Sequence, residues 1–378
     1  MVAPRTTINT RVATADRELP PPKQSGGVVS LYQCIKSVRN PIGLTRTLGL
    51  FRMKGYCTGN SAAVFEVLAD DGRHLRLKCY TRPKDNLEAI YGERLLRDEL
   101  YVFTGDGGVW IDVVADEWIE GRTLTEVMNE AAASDDRRRL SSLAAEFDRL
   151  ARGMLARDWA HGDLKPDNII VTAEGGMQLI DFDAVYLPEL RRSRSRELGT
   201  AAWQHPSRGT ADYDRHIDDY PIALISTLLH ALAEEPSLLA RYADADGMPL
   251  DSRRIAAGRC EALEHIEGLF ACRGMAVQYR VARLLRSRAY ILPQIAEYLD
   301  CGASEGASEC NARCGGCGSR PELTMRNGLY GYECRGRVVV APLFDDAVGC
   351  RDGIAEVVLG GVRHKQSIKC DETEYQKD

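Results

Sequence analysis

Residues 161–168 read His-Gly-Asp-Leu-Lys-Pro-Asp-Asn. This stretch places the acid Asp163, the amine Lys165 and the amide Asn168 in one loop, and a second acid, Asp181, follows the next apolar strand. Such groups are able to orient a hydroxyl, to neutralise a phosphoryl group in transfer and to hold magnesium. The alternative at this point is a structural turn, in which Asp and Asn side chains cap the neighbouring strands.

The sequence before this loop predicts a small antiparallel sheet. Residues 63–68 and 75–80 alternate apolar and polar side chains on either side of a turn, which is typical of a β-hairpin. Residues 86–96 space their apolar side chains by three and four positions, which predicts an amphipathic helix. Two further strands are predicted near residues 100–103 and 110–118.

The sequence after residue 123 is mainly helical. Residues 138–156 carry an apolar stripe and follow an Asp-containing cap, which predicts a helix that leads into the loop. A small β-rich part and a larger helical part together predict the α+β fold class. Short strands are predicted at residues 169–171 and 177–180, and further helices over 219–233, 236–242 and 252–299.

The loop at residues 161–168, followed by Leu-Ile-Asp-Phe-Asp at residues 179–183, closely resembles the catalytic loop and metal-binding motif of protein kinases. The resemblance covers about residues 45–235, because a hairpin lysine, a helix, a hinge-like segment and later landmarks occur in kinase order. It implies a two-lobed protein-kinase-like fold, with a small antiparallel β lobe plus one helix at residues 28–122 and a larger helical lobe at residues 123–300.

The resemblance also implies a role for each chemical group in these motifs. Asp163 is expected to orient or accept the proton of the attacking hydroxyl, and Lys165 to neutralise charge on the transferring phosphate. Asn168 and Asp181 are expected to hold Mg²⁺, and Lys78 to contact the α- and β-phosphates of ATP. The other predicted nucleotide-binding residues are Gly59, Asn60, Ser61 and Ala62 in a phosphate-covering loop, and Glu117 and Ile119 in the hinge-like segment.

A helix carboxylate is expected to pair with Lys78. Glu93 is the preferred residue, since Glu88 is close to the start of the predicted helix and Glu99 is close to the next strand. The structural alternative for Glu93 is a solvated helix acid.

Three positions depart from the protein-kinase pattern. Gly162 replaces the arginine that commonly precedes the catalytic aspartate, which removes the usual cationic partner for a phosphorylated activation segment. Asp183 replaces the glycine of the metal-binding motif and adds a charge near the magnesium site. His205 and Pro206 stand where Ala-Pro-Glu is common, so the glutamate that anchors the helical lobe is absent.

Residues 184–199 are expected to be the activation segment, which contains the basic run at residues 191–196. This run is either a phosphorylation site or a solvated basic loop, and it has no interleaved aromatic residue that could stack on bases. Downstream of it, Asp218 or Asp219 is expected to cap the long buried helix, and Asp219 is preferred as the N-cap because Pro221 then lies within the first turn.

The composition argues against several kinds of partner. The formal net charge of −6 is mild and gives no electrostatic reason to expect nucleic acid or a membrane surface. The longest apolar run, at residues 222–233, is shorter than the roughly 20 residues that cross a bilayer. Residues 1–27 are predicted to be a disordered tail without a secretion signal, so a cytoplasmic protein with reduced thiols is expected.

Residues 301–322 are rich in Gly, Ser and Cys, which is typical of a linker. Cys310, Cys314 and Cys317 come near zinc-ligand spacing in this segment. Only one tight pair is present, which favours free thiols over a structural zinc site.

Residues 323–368 resemble one WG repeat, a short β-repeat of bacterial proteins. The resemblance rests on Asn-Gly-Leu-Tyr-Gly-Tyr at 327–332, Val-Ala-Pro-Leu-Phe-Asp at 340–345 and Gly-Ile-Ala-Glu-Val at 353–357. Because a lone repeat buries little of its surface, this module is expected to dock on the kinase unit or on a protein partner. Residues 369–378 are a short tail.

These features predict an ATP- and Mg²⁺-dependent protein kinase that phosphorylates serine or threonine hydroxyls of a protein substrate, including its own. Lys165-Pro166 is the form associated with serine/threonine kinases. One alternative is a small-molecule phosphotransferase, because antibiotic and choline phosphotransferases resemble the same His-Gly-Asp loop. The other is a nucleotide-binding pseudokinase scaffold, against which the intact set of Lys78, Asp163, Asn168 and Asp181 weighs.

Overall fold

The computed structural model describes residues 51–58, 62–69, 71–80, 84, 86–104, 107–191, 193–195, 197–243, 248–305, 321–351 and 353–368. The chain divides into two units, residues 1–120 and residues 121–378. Two sets of predicted residues lie outside the described ranges: Gly59, Asn60 and Ser61 of the phosphate-covering loop, and Cys310, Cys314 and Cys317 of the candidate zinc cluster.

The first unit contains the strands β1 (Phe51–Thr58), β2 (Ala62–Ala69), β3 (His74–Tyr80), β4 (Leu95–Thr104) and β5 (Gly107–Glu117). They form an antiparallel sheet in the order β1-β2-β3-β5-β4. The predicted hairpin is confirmed, because Phe65 of β2 pairs with Leu77 of β3.

The two faces of this sheet bury different side chains, as expected from the two-residue period of a strand. Leu77 and Cys79 belong to the apolar cluster on one face. Leu95 packs on the other face with helix α1 (Leu87–Tyr91). Lys78 lies between Leu77 and Cys79 in sequence, so it is on the face that α1 covers.

Helix α1 is shorter than the sequence predicts. Residues 86–96 were expected to form one helix, but it ends at Tyr91 and a 3₁₀ turn follows at Gly92–Arg94. Gly92 has φ 52° and ψ −126°, a conformation outside the helical region that glycine tolerates because it lacks a Cβ. The chain then enters β4, so Glu93 lies in the turn and not on a helix.

The second unit is mainly helical. The predicted helix at 138–156 is confirmed within one residue at each end, and Asp136 caps it by accepting from Arg139 N at 2.9 Å. The last helix continues to Glu305, beyond the predicted start of the linker at residue 301. The helices are α2 (Leu124–Ala133), α3 (Arg137–Leu155), α4 (Asp219–Glu234), α5 (Leu238–Tyr242), α6 (Ser252–Ala256), α7 (Glu261–Arg273), α8 (Ala276–Leu284) and α9 (Ile295–Glu305).

The N-cap of α4 is Asp218, so the prediction of Asp219 is wrong. Asp219 is the first residue of the helix, and the Asp218 side chain makes no capping hydrogen bond to it. The Asp218 carboxylate instead accepts hydrogen bonds from the backbone of His161 and Gly162. The cap position is therefore used to hold a loop that lies far away in sequence.

Three short strands bracket that loop: β6 (Arg122–Thr123), β7 (Ile169–Val171) and β8 (Met177–Leu179). They form one sheet in this order, which confirms the predicted strand pair. Because β7 begins after residue 168 and β8 ends before residue 180, the hairpin brings the two polar motifs to the same end of the sheet.

The carboxy-terminal part consists of two small three-stranded sheets, in the orders β11-β10-β9 and β12-β13-β14. This confirms the prediction of short strands joined by tight turns. The strands are β9 (Glu322–Arg326), β10 (Leu329–Cys334), β11 (Arg337–Phe344), β12 (Asp346–Ala347), β13 (Ile354–Leu359) and β14 (Val362–Ser367).

These strands contact helices α7 and α8 of the same unit. Arg280 Nε donates to Leu343 O at 2.6 Å, and Arg280 Nη2 donates to Asp345 Oδ1 at 2.8 Å. His364 Nε2 donates to Ala271 O at 2.7 Å. Apolar side chains of both parts share one buried cluster, which includes Phe270, Val281, Leu343 and Val357.

The described cysteines differ in their state. Cys79, Cys260, Cys272, Cys301 and Cys350 are free thiols. Cys334 is disulfide-bonded, so the expectation of reduced thiols is wrong for this residue. Within the described ranges, no three His, Cys, Asp or Glu side chains are grouped to hold a metal ion. No helix in those ranges has the length and apolar character needed to span a membrane.

Candidate active site

A buried carboxylate holds the loop at residues 161–168. The backbone N–H groups of His161 and Gly162 donate to Asp218, with 3.0 Å between Gly162 N and Oδ1. Burial raises the pKa of the Asp218 carboxyl, whereas His161 and the two amide hydrogen bonds act in the opposite direction. The loop backbone is therefore fixed to the protein interior.

The ring of His161 fixes the loop from its other side. His161 Nε2 lies 2.8 Å from Ile180 O, and Asp163 N donates to His161 Nδ1 at 3.3 Å. Because a carbonyl only accepts and an amide N–H only donates, Nε2 carries the ring proton and Nδ1 is the acceptor. The ring thus connects Asp163 to the residue before Asp181.

Asp163 lies at the centre of a polar cluster. Its Oδ1 accepts a hydrogen bond from Thr200 N at 2.6 Å. Asn168 Nδ2 donates to Asp163 O at 2.8 Å and lies 3.3 Å from its Oδ2. Lys165 Nζ donates to Thr200 Oγ1 at 2.9 Å and lies 3.5 Å from Asp163 Oδ2. The structure brings together three predicted residues and adds Thr200 to them.

This cluster is equipped for proton acceptance and for charge neutralisation. The side chains of Asp163 and Lys165 remain 19% and 22% exposed, so both can reach a substrate. A carboxylate can accept a hydroxyl proton, and an ammonium group can donate to phosphate oxygens. Because Thr200 already holds both side chains, they need little reorganisation to act.

Asp181 follows β8 in a strained backbone conformation. Its φ of 67° and ψ of 62° lie in the left-handed region. This region costs a non-glycine residue roughly 1–3 kcal/mol, and such residues often occur at functional sites as well as in turns. Ile180 N donates to Asn168 O at 2.9 Å, which places Asp181 next to Asn168 across the hairpin. Asp183 lies in the 3₁₀ turn that follows.

Asn168 and Asp181 form a suitable donor set for Mg²⁺. Asn168 directs its Nδ2 toward Asp163, so its Oδ1 is the atom that remains to act as a ligand. Magnesium prefers carboxylate and amide oxygens and takes its other ligands from water and phosphates. The two residues therefore fit the ion without a cluster of three acids.

Two glycines permit the close approach of the backbones around Asp163. Gly162 has φ +81°, and a Cβ there would lie 2.1 Å from Ala184 O. Gly199 has φ +73°, and a Cβ there would lie 2.7 Å from Gly162 O. The departure at Gly162 therefore has a steric reason, since a side chain does not fit in this arrangement.

Residues 205–207 follow the expected activation segment and are anchored by His205, where protein kinases commonly use a glutamate. His205 Nε2 donates to Ser287 O at 3.1 Å, while His205 Nδ1 accepts from Ser207 N at 3.1 Å. Burial lowers the pKa of His205, and the hydrogen bond to Ser287 acts in the opposite direction. A separate ion pair joins Arg286 and Glu267, with nitrogen–oxygen distances of 2.8 and 2.9 Å.

In the first unit, Lys78 is buried, with 5% of its surface exposed. The predicted partner Glu93 is exposed in its turn. Glu99, in contrast, is only 1% exposed and lies in an irregular part of β4 between Leu96 and Leu100. Among the described residues of the first unit, Lys78 and Glu99 are the two buried charged side chains.

The remaining predicted nucleotide-binding residues lie at strand ends. Ala62 is buried at the start of β2. Glu117 ends β5 and is exposed, and Ile119 is half-buried two residues later. Trp118 N donates to His74 O at 2.9 Å, which fixes the backbone of this segment to β3.

Comparison with known proteins agrees with this geometry. A model of the Phosphotransferase enzyme family matches residues 111–187, which include both polar motifs. Over these residues the chain is similar to a phosphotransferase family, and its α+β architecture is consistent with a kinase-like fold. Phosphotransferases of this kind generally use ATP and Mg²⁺, for which the oxygens of Asn168 and Asp181 are suited.

The chain is also similar to curated protein kinases. It is 24% identical to the serine/threonine-protein kinase pakA of Dictyostelium discoideum over 208 residues, which are 53% of this chain and 15% of pakA. It is 23% identical to STE20 of Debaryomyces hansenii over 56% of this chain and 20% of STE20. For CLA4 of Candida albicans the identity is 23%, over 36% of this chain and 14% of CLA4. The alignments thus span at most a fifth of these kinases.

Sequence reasoning missed some residues that organise the kinase-like site. Asp218 was noticed only as a candidate cap, and Arg208 was not considered. The long-range contacts of Asp218 and Arg208 leave no periodic or spacing signal in the sequence. Glu99 was weighed and set aside because it lies close to the next strand, and the irregularity in β4 around it is not visible in the sequence.

Proposed function

We propose that this protein transfers the γ-phosphoryl group of ATP, with Mg²⁺, to serine or threonine hydroxyls of proteins. The observation that carries this proposal is the cluster of Asp163, Lys165 and Asn168, held together by Thr200. The Lys165-Pro166 pair and the contact from Lys165 Nζ to Thr200 Oγ1 support a protein hydroxyl as the acceptor.

The roles of the residues follow from their chemistry. Asp163 Oδ2 accepts or orients the proton of the attacking hydroxyl, because its contacts with Asn168 Nδ2 and Lys165 Nζ, at 3.3 and 3.5 Å, are longer than the 2.6 Å between Oδ1 and Thr200 N. Lys165 Nζ neutralises charge that develops on the transferred group. Asn168 and Asp181 hold Mg²⁺, which when bound neutralises the phosphate oxygens of ATP.

Lys78 is proposed to contact the α- and β-phosphates. The sequence prefers Glu93 as its partner, whereas the burial of both Lys78 and Glu99 supports Glu99. Gly59, Asn60, Ser61, Ala62, Glu117 and Ile119 are retained as proposed nucleotide contacts on the strength of the resemblance.

The carboxy-terminal β module is proposed to be a WG-repeat-like element that docks on the helical part. The hydrogen bonds from Arg280 to Leu343 and Asp345 support this proposal. We also propose the predicted domain limits and a cytoplasmic location, on sequence grounds.

A radiolabel assay tests the proposed activity. Purified protein is incubated with γ-labelled ATP, Mg²⁺ and a generic protein acceptor, and Asp163→Asn is expected to abolish transfer. Asp167→Asn is the matched control, since Asp167 is an exposed acid in the same loop and is expected to keep its activity. Binding of ATP with no transfer to any acceptor would support the scaffold alternative.

Small amines and alcohols are the second set of acceptors. The match to the Phosphotransferase enzyme family and the His-Gly-Asp loop give this alternative a specific basis. Transfer to these compounds, with none to protein, would replace the protein-kinase proposal.

A further inference from the structure

Arg208 is a buried cation that the roles proposed above do not use. It lies two residues beyond Pro206 and is only 6% exposed. Its Nη1 donates to Gly162 O at 2.9 Å, lies 3.3 Å from Leu198 O and also donates to Gln204 Oε1. One nitrogen thus contacts the catalytic loop and the end of the activation segment.

These contacts flank the hydrogen bond that holds Asp163. The N–H of Thr200 donates to Asp163 Oδ1 at 2.6 Å. Gly162 O belongs to the peptide that precedes Asp163, and Leu198 O lies two residues before Thr200. Arg208 therefore ties together the two backbone segments between which this hydrogen bond forms.

The position of Arg208 is energetically unfavourable. Burial lowers the pKa of its guanidinium, and the nearby acids Asp218 and Asp163 act in the opposite direction. Its Nε and Nη2 find no hydrogen-bond partner among the described residues. A buried charge with unsatisfied donors reduces stability. Because the buried guanidinium of Arg208 lowers stability, we look for its role in the contacts of Nη1 rather than in packing.

The neighbouring glycine explains why the cation comes from this position. A side chain at Gly162 would collide with Ala184 O, so the loop cannot carry an arginine there. We propose that Arg208 is the positioning residue of the catalytic loop, which holds Gly162 and, through it, Asp163 in register with Thr200. This inference rests on the proposed function.

The kinetic test compares three variants. Arg208→Lys keeps the charge, but its shorter side chain ends before the position of Nη1, and Arg208→Gln loses the charge as well. Arg280→Lys is the control, since Arg280 is also buried and also donates to a backbone carbonyl of the same unit. Both Arg208 variants are expected to lower kcat by about tenfold or more, with KM for ATP and ATP affinity within about twofold of wild type. Arg280→Lys is expected to change only the melting temperature.

A structural role gives a different result. If kcat of the Arg208 variants falls only in proportion to the folded fraction, or no more than for Arg280→Lys, the positioning role is refuted. A rise in KM for ATP with unchanged kcat also refutes it.

Hydrogen exchange separates this inference from the proposed function. Arg208→Lys is expected to speed exchange of the Thr200 amide by about tenfold or more, because its acceptor on Asp163 is no longer held in register. Unchanged exchange at Thr200, in a variant of wild-type melting temperature, overturns the inference even if the wild type is active. Faster exchange in a protein that transfers no phosphate supports the positioning role and refutes only the proposed reaction.

Discussion

Replacing Gly199 by alanine tests how strongly the geometry around Asp163 controls the reaction. The new Cβ would lie 2.7 Å from Gly162 O and 2.9 Å from Asp163 Oδ1, whereas ordinary contact begins at 3.4 Å. These oxygens must therefore retreat by about 0.7 and 0.5 Å. Because a misplacement of about 1 Å can cost a hundredfold in rate, we expect kcat to fall by about tenfold.

Stability changes for two separable reasons. A non-glycine residue at positive φ costs roughly 1–2 kcal/mol, and overpacking adds about 1–3 kcal/mol. Gly258→Ala is the matched control, because Gly258 has φ +65° and a Cβ there would meet nothing within 4 Å. It carries the backbone cost without the collision.

Phosphate transfer and thermal denaturation are measured for both variants. Gly199→Ala is expected to be less stable than Gly258→Ala, and only Gly199→Ala is expected to lose kcat. If folded Gly199→Ala transfers phosphate at the wild-type rate, the contact between Asp163 and Thr200 does not control the chemistry. If both variants lose the same stability and the same fraction of kcat, backbone strain alone accounts for the effect.

Three further outcomes are expected. Burial lowers the pKa of His205 below its ordinary 6.5, so as the pH falls the unfolded chain takes up this proton before the folded protein does. The contribution of His205 to folding stability is therefore fully present above about pH 6.5 and is lost as the pH falls below it. Thermal denaturation against pH checks this, and His205→Gln should remove that dependence. Glu99→Gln is expected to lower the rate of phosphate transfer at least about tenfold, because removing one member of the proposed buried pair leaves the charge of Lys78 unpaired. Glu93→Gln is expected to leave the rate unchanged. A loss of rate in Glu93→Gln and not in Glu99→Gln would support Glu93 as the partner of Lys78. Arg280→Ala is expected to cost about 2 kcal/mol of unfolding free energy with an unchanged transfer rate, and an unaltered melting temperature would contradict the docking of the β module.

The sequence was sufficient for the features that depend on local patterns. The hairpin β2–β3, helix α3 and the strands β7 and β8 follow from period and turn residues, and the structure contains them. Asp163, Lys165 and Asn168 were found because they lie within six residues of one another. Groups so close in sequence meet whatever the rest of the fold does.

The features that were missed depend on long-range contacts or on irregular backbone. The helix predicted at 86–96 is cut at Gly92, whose conformation periodicity does not report. Asp218 looks like a helix cap in sequence, and only the fold shows that its carboxylate accepts from His161 and Gly162. Glu99 is buried by extra residues in β4 that break strict alternation.

The departures from the protein-kinase pattern are connected in the structure. Gly162 lets the backbone of Ala184 approach, and that approach leaves no room for a side chain at residue 162. The cation then comes from Arg208, which is positioned by the same segment that His205 anchors to Ser287. Each of these contacts is made between backbone and the side chain of Arg208 or His205. The loss of the usual arginine and the loss of the usual glutamate therefore belong to one alternative way of fixing the catalytic loop.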